Sequence, residues 1–222
     1  MIVYSGLKSD FMLAVEQDSI ATEIEENIYN KMHKRTAQNE FRAWENSLEY
    51  MYKVLNDNTI PENSGIAIEY NIPQTSKRVD FIISGYDEKE DPNVIIIELK
   101  QWDKVEAVEG QDALVETIIG RAMRKTVHPS YQAWSYAAMI YDYNQNVQMG
   151  NIVLHPCAYM HNYRKGNPEK LEQNQYKEYV DDAPIFARGE VSKLRDFIKK
   201  SINEMSLQFN FRGQFKHHIY YL

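Results

Sequence analysis

The chain has 222 residues, of which 43% are hydrophobic and 26% charged, with 25 Lys+Arg against 32 Asp+Glu. That is enough apolar material to offset the chain entropy of one folded domain, so disorder over most of the length is excluded. The net charge of −7 speaks against coating nucleic acid by bulk electrostatics, but it leaves room for a metal site built from carboxylates.

The start, MIVYSGLKSDF, lacks a basic region followed by a long apolar stretch, so no secretory signal is read there. Its first 35 residues read as helical, on Leu7, Phe11, Leu13 and Val15 and then Ile20, Ile24 and Ile28. From Ala37 to Leu55 the periodicity sharpens. Phe41, Trp44, Leu48, Met51 and Leu55 step by three and four and predict one buried helical stripe. Glu40 is the acidic residue nearest that stripe, with Ser47 two turns along on the same flank. The segment Asn56–Ser64 is a turn region.

Three strands are expected next. Gly65–Tyr70 alternates like a half-exposed strand, on which Glu69 reads first as solvent-exposed and second as a spare carboxylate, and Arg78–Ser84 ends in a Ser-Gly turn. Asn93–Leu99 is a branched run expected to be covered on both faces. A helix is read near Ala113–Met123, and Pro129 opens another reaching about Tyr143. Asn151–Ala158 and Ala183–Ala187 read as strands and Glu190–Met205 as an amphipathic helix. This order predicts a single α/β domain over residues 1–222 with a mixed central sheet flanked by helices: a helical part at 1–56, a core at about 37–140, and strands and a helix over 151–222. The lone Cys157 excludes an internal disulfide framework and fits a reduced, cytoplasmic setting. No apolar run approaches the roughly 18 residues a membrane helix needs.

The chemistry concentrates at Asp80 and at Glu98-Leu99-Lys100. Alternation along a strand sends Glu98 and Lys100 to one face, and a neighbouring strand brings Asp80 to the same edge. Charges ending an apolar strand need a partner or a metal, and hard carboxylate oxygens suit Mg2+ or Mn2+. A metal held by Asp80 and Glu98 serves phosphodiester hydrolysis, and Lys100 orients the water or stabilises developing charge. Glu40 reads equally as a third carboxylate or as an early-turn residue favoured by the helix dipole. A purely structural ion-pair cluster fits the same short pattern. Between Gly120 and Gln132 lie Arg121, Arg124, Lys125 and His128 on an otherwise acidic chain, just before a helix start that favours phosphate. On their own they fit a solvated basic loop first and contacts to nucleic acid second, with Gln132 in the first turn facing the backbone or the attacking water. The C-terminal stretch 205–222 is basic and aromatic, with Phe209, Phe211, Arg212, Phe215, Lys216, Tyr220 and Tyr221, and is read as a strand or packing segment. No histidine, including His155, His161 and the pair His217-His218, falls in a zinc spacing.

Arg78-Val79-Asp80-Phe81-Ile82-Ile83-Ser84-Gly85, Ile96-Ile97-Glu98-Leu99-Lys100-Gln101-Trp102, His128-Pro129-Ser130-Tyr131-Gln132 and the earlier Glu40-x-x-x-Trp44-x-x-Ser47-Leu48 together resemble the PD-(D/E)XK nuclease superfamily. More narrowly, they are similar to the nuclease-like domain that precedes a helicase-like ATPase domain in a group of bacterial proteins. The resemblance covers about residues 37–140. It implies a restriction-endonuclease-like core and Mg2+- or Mn2+-dependent cleavage of nucleic acid, DNA foremost. Asp80, Glu98 and Lys100 become the central site, with Glu40 and Gln132 accessory to it. The group's architecture implies an ATPase or helicase domain or subunit as partner. These residues depart from it in having no Gly-x-x-x-x-Gly-Lys-[Ser/Thr] loop, so they encode no ATPase themselves, and a stand-alone domain is the other expectation. Val79 stands where the superfamily often has proline. A non-cleaving nucleic-acid-binding or docking module on the same fold is the rival expectation.

Overall fold

The computed structural model describes residues 2–33, 35–166 and 169–203. Nine strands and seven α-helices follow the order β1 (Ile2–Leu7), α1 (Lys8–Glu16), α2 (Ile20–Met32), α3 (Gln38–Leu55), β2 (Gly65–Asn71), β3 (Arg78–Tyr86), β4 (Pro92–Lys100), β5 (Val105–Ala107), β6 (Leu114–Ile119), β7 (Ala122–Val127), α4 (Pro129–Tyr143), α5 (Gln145–Met149), β8 (Val153–Met160), α6 (Lys177–Asp182), β9 (Ile185–Ala187) and α7 (Val191–Ser201) among those residues. Six strands form a mixed sheet in the order β1-β2-β3-β4-β8-β9, antiparallel up to β4 and parallel from β4 through β8 to β9. A separate antiparallel sheet holds β5-β6-β7. The architecture is therefore α/β with a mixed central sheet flanked by helices.

Alternate residues of the central strands feed opposite faces of the sheet. Ile95 and Ile97 pack with Phe11, Leu48 and Leu194, under α1, α3 and α7. Val94 and Ile96 pack with Tyr136 and Ile140 of α4. A third cluster, including Val105, Val115, Leu171 and Tyr176, seats the small sheet against the ends of β8 and β9. The stripe predicted for α3 is buried at Trp44, Leu48, Met51 and Leu55, with Phe41 half-buried.

Three local expectations are corrected. The chain opens with a strand, not a helix: Ile2-Val3-Tyr4 is rich in β formers and pairs with β2, and Leu7 then caps α1, its N–H donating to the Asp10 carboxylate at 2.9 Å. β2 is buried rather than half-exposed, because β1 and β3 flank it and both faces carry a core. The helix read at Ala113–Met123 is a hairpin. Val115, Thr117 and Ile119 alternate as strand residues, and Gly120, at φ +71°, makes the tight turn in which a side chain would be strained. The C-terminal helix ends at Ser201, and the basic-aromatic stretch with His217-His218 lies outside the described residues. Among the described residues, no helix is long and apolar enough to cross a membrane.

Candidate active site

β3 and β4 pair from Tyr86–Pro92 to Phe81–Ile97 and then part. Asp80, the next residue on β3, leaves the ladder, and one of its side-chain oxygens accepts the Leu99 N–H at 2.8 Å. This side-chain bond replaces a backbone rung and holds the strands apart where β4 becomes charged. The opening leads into a cleft of about 320 Å3 between α3 and the sheet, reached by Glu40, Trp44, Glu69, Arg78, Asp80 and Lys100 among others.

Glu98 and Lys100 lie side by side, as strand alternation requires. Lys100 Nζ donates to Glu98 Oε1 at 2.6 Å, and Gln132 Nε2, from the first turn of α4, donates to the same oxygen at 2.7 Å. Gln132 also donates to the Tyr136 hydroxyl at 2.9 Å, which fixes its amide. Glu98 Oε2 is buried and has no hydrogen-bond donor in the structure, although the Asp80 carboxyl lies within hydrogen-bonding reach of Glu98. Two carboxylates without a donor between them need a proton or a cation. Burial, and then the charge of Asp80, push the Glu98 carboxyl well above its ordinary range against the pull of Lys100. The ammonium of Lys100 is itself held above its usual range by Glu98 and Asp80, which outweigh the opposing effect of its burial.

Of the two readings of Glu69, solvent-exposed or spare carboxylate, the structure favours the second: it is part of this site. It is buried, with φ +57°, on the rung of β2 that Ile68–Phe81 and Tyr70–Val79 leave unpaired opposite β3. A left-handed backbone at a glutamate costs about 1–3 kcal/mol. It turns the carboxylate toward α3, where Trp44 Nε1 donates to Oε1 at 2.7 Å and the Arg78 guanidinium forms an ion pair with Oε2. Burial, then the charge of Asp80, raise the Glu69 carboxyl to about 7; Arg78 and Trp44 oppose the rise. The only trace in the sequence is a single acid inside the apolar run Gly65–Asn71.

Glu40 lines the cleft as expected, but the structure does not bring it into the Asp80–Glu98 pair. Its Oε1 is held by Arg78 at 2.7 Å. Among the described residues, no three His, Cys, Asp or Glu side chains are grouped to hold a metal. Glu40 and Glu69 instead grip one guanidinium from two sides. Ser47, on the flank noted in the sequence, binds Gln101 at 3.0 Å and the buried His161 at 3.1 Å. Burial lowers His161 to about 4, so its ring is neutral at ordinary pH. The cleft edge is therefore braced by neutral hydrogen bonds.

The basic segment is divided. Arg121, Arg124 and Lys125 are exposed on the β6–β7 hairpin. His128 is not a contact for nucleic acid: it is fully buried and stacked on Tyr176 with ring centroids 4.3 Å apart. Its Nδ1 accepts the Ser130 N–H at 3.2 Å as the N-cap of α4, and Nε2 bonds the Leu171 carbonyl at 3.0 Å. Burial lowers it to about 4, so it is a neutral cap and carries no charge to a phosphate. His128→Ala is expected to cost about 2 kcal/mol, since it removes the cap and strands the Leu171 carbonyl. Denaturant unfolding measures that cost. A change in the salt dependence of DNA affinity, with stability intact, would restore His128 as a phosphate contact.

The donor set suits a hard divalent cation. It consists of the neighbouring Asp80 and Glu98 carboxyls beside Lys100, with the buried Glu98 Oε2 unpartnered, while Glu40 and Glu69 are engaged by Arg78. The chain matches no protein-family model, no curated protein and no solved structure.

Proposed function

We propose that the chain is a Mg2+- or Mn2+-dependent nuclease that hydrolyses phosphodiester bonds of DNA on a restriction-endonuclease-like core. The observation that carries this reading is the buried Glu98 Oε2, without a donor beside Asp80, next to the half-buried Lys100, which bonds Glu98 and lines the cleft. Asp80 and Glu98 would hold the cation, which would supply charge neutralisation and an acidified water. Gln132 fixes the rotamer of Glu98, and Glu40 and Glu69 fix Arg78 at the cleft edge. Lys100 directs the attacking water and meets the charge growing on the phosphoryl oxygens. In the step itself a water gives up a proton to solvent as its oxygen bonds to phosphorus, the ester P–O bond breaks, and the departing oxygen takes up a proton from solvent.

The acidic surface suits an enzyme that reaches DNA through a partner, and the ATPase or helicase implied by the motifs is such a partner. A reduced, cytoplasmic setting agrees with the free, buried Cys157.

The test is incubation of the full chain with linear duplex, circular duplex and single-stranded DNA in Mg2+, Mn2+ or EDTA, beside Asp80→Asn. Cleavage is expected with either metal, none in EDTA, and none from Asp80→Asn. Binding of DNA that is equal with and without metal, and no cutting, would favour the docking module.

A further inference from the structure

The β6–β7 hairpin is built as a fixed base with a bare tip. At the base, Val115 and Thr117 are buried, the Thr117 hydroxyl donates to the Lys104 carbonyl at 2.7 Å, and the Tyr176 hydroxyl donates to the Leu114 carbonyl at 2.8 Å. At the tip, Ile118, Ile119 and Met123 are 47%, 39% and 40% exposed. Ile118 faces Met123 across one side of the ribbon, and Ile119 faces Ala122 on the other. Both sides of the tip are therefore apolar and uncovered by the described residues. Exposed apolar side chains in such a cluster mark a contact surface, not an ordinary solvated turn.

Charge decides what that surface meets. On a chain of net charge −7, the turn residue Arg121 and the strand residues Arg124 and Lys125 flank the apolar tip. Lys125 stands opposite Glu116, so Arg121 and Arg124 carry most of the attraction to an anion. Basic side chains around apolar ones on a narrow projection are the chemistry by which proteins hold DNA backbones while prying a base step open. The hairpin is also tethered to the candidate site at both ends. β4 closes with Lys100 shortly before β5, and β7 runs through His128 into α4, whose Gln132 holds Glu98. Six strand residues rise about 20 Å, so the tip reaches about six base pairs from its base.

We propose that the β6–β7 hairpin is a wedge that enters a groove of duplex DNA, with Arg121 and Arg124 on the phosphates and Ile118, Ile119 and Met123 unstacking a base step near the cleft. The placement beside a scissile phosphate rests on the nuclease reading, whereas the wedging itself does not. It makes duplex DNA the substrate and gives flexible pyrimidine–purine steps, the cheapest to open, as preferred positions.

The test uses duplex DNA carrying 2-aminopurine, whose fluorescence rises when it unstacks, with Mg2+ present in a Lys100→Ala background so that the DNA stays intact. The background protein is expected to raise the fluorescence. Adding Ile118→Thr, Ile119→Thr and Met123→Thr, which puts a β-branched strand former at all three positions, should remove most of the rise while Kd changes less than about threefold. Adding Arg121→Ala and Arg124→Ala should instead weaken binding and lower the slope of log K against log salt by about 2. Cleavage by the unsubstituted chain, with fluorescence unaffected by the threonine changes, overturns the wedge and leaves the nuclease standing. No cleavage, with fluorescence that depends on the tip, does the reverse. Loss of self-association in the threonine variant, with no effect on DNA, would assign the tip to a second copy of the chain and overturn the proposal.

Discussion

Lys100→Ala is expected to slow DNA cleavage by about 10^3-fold while leaving DNA affinity within about threefold. The lysine donates to Glu98 at 2.6 Å and stands beside Asp80, so its charge is fixed before substrate arrives. A preorganised donor aimed at developing charge contributes about 10^2–10^3 in rate. Here the same group also offsets the repulsion between Asp80 and Glu98, which places the effect at the upper end. Lys100→Arg should not rescue, because a planar fork cannot take the position of a compact ammonium packed over the Trp102 ring at 5.2 Å. Single-turnover cleavage of a supercoiled plasmid measures the rate, and filter binding measures affinity. Retention of more than a tenth of the wild-type rate would reduce Lys100 to a structural counter-ion and remove the centre of the proposed mechanism.

The parts of the site that could be read from the sequence are those governed by strand period and local spacing. Glu98 and Lys100 share a face because they are two residues apart on β4, and Asp80 joins them because β3 is the antiparallel neighbour. Gln132 follows from Pro129, which fixes the start of α4 and hence its first turn. Glu69 is reached in this way only as a spare carboxylate on the strand before Asp80, without its burial. Its carboxylate enters the site only because the residue takes a left-handed φ, and period-two reasoning has no place for that conformation. The pairing of Glu40 with Arg78 was hidden for a related reason: it depends on how α3 lies across the sheet edge, which the stripe of α3 constrains only in rotation.

Two other misreadings share one cause, which is that residue type was weighed before burial. His128 was grouped with Arg121, Arg124 and Lys125 as a cation, yet an imidazole stacked on Tyr176 in the core is a neutral cap. Ala113–Met123 reads as helical, although Val115, Thr117 and Ile119 on one strand and the turn at Gly120 are hairpin chemistry. The strand at Ile2–Leu7 was missed because six residues carry little periodic signal ahead of the stronger helical pattern that begins at Lys8.

Glu69→Gln is expected to flatten the pH dependence of stability and to gain about 2–3 kcal/mol over wild type between about pH 5 and about pH 8. The folded carboxyl titrates at about 7, raised from 4.5 first by burial and then by Asp80. Between those values the folded chain binds the extra proton and the unfolded chain does not. Stability is therefore highest below the unfolded value and falls as pH rises through the folded one. Glutamine keeps an acceptor for the Trp44 N–H and carries no charge beside Asp80. Arg78 loses a charged partner only where Glu69 is ionised, a pull already contained in the folded value of about 7, and Glu40 stays bound to it. Urea unfolding of both proteins in EDTA, at the two pH values, isolates the effect. If wild type and variant lose stability in parallel, Glu69 is ionised throughout, and the left-handed residue is stabilised by Arg78 rather than by a shared proton. If the curves diverge above pH 5, the cleft holds a carboxyl that is neutral in mildly acidic solution and charged in alkaline solution, and the negative charge available to attract a divalent cation increases over the same interval.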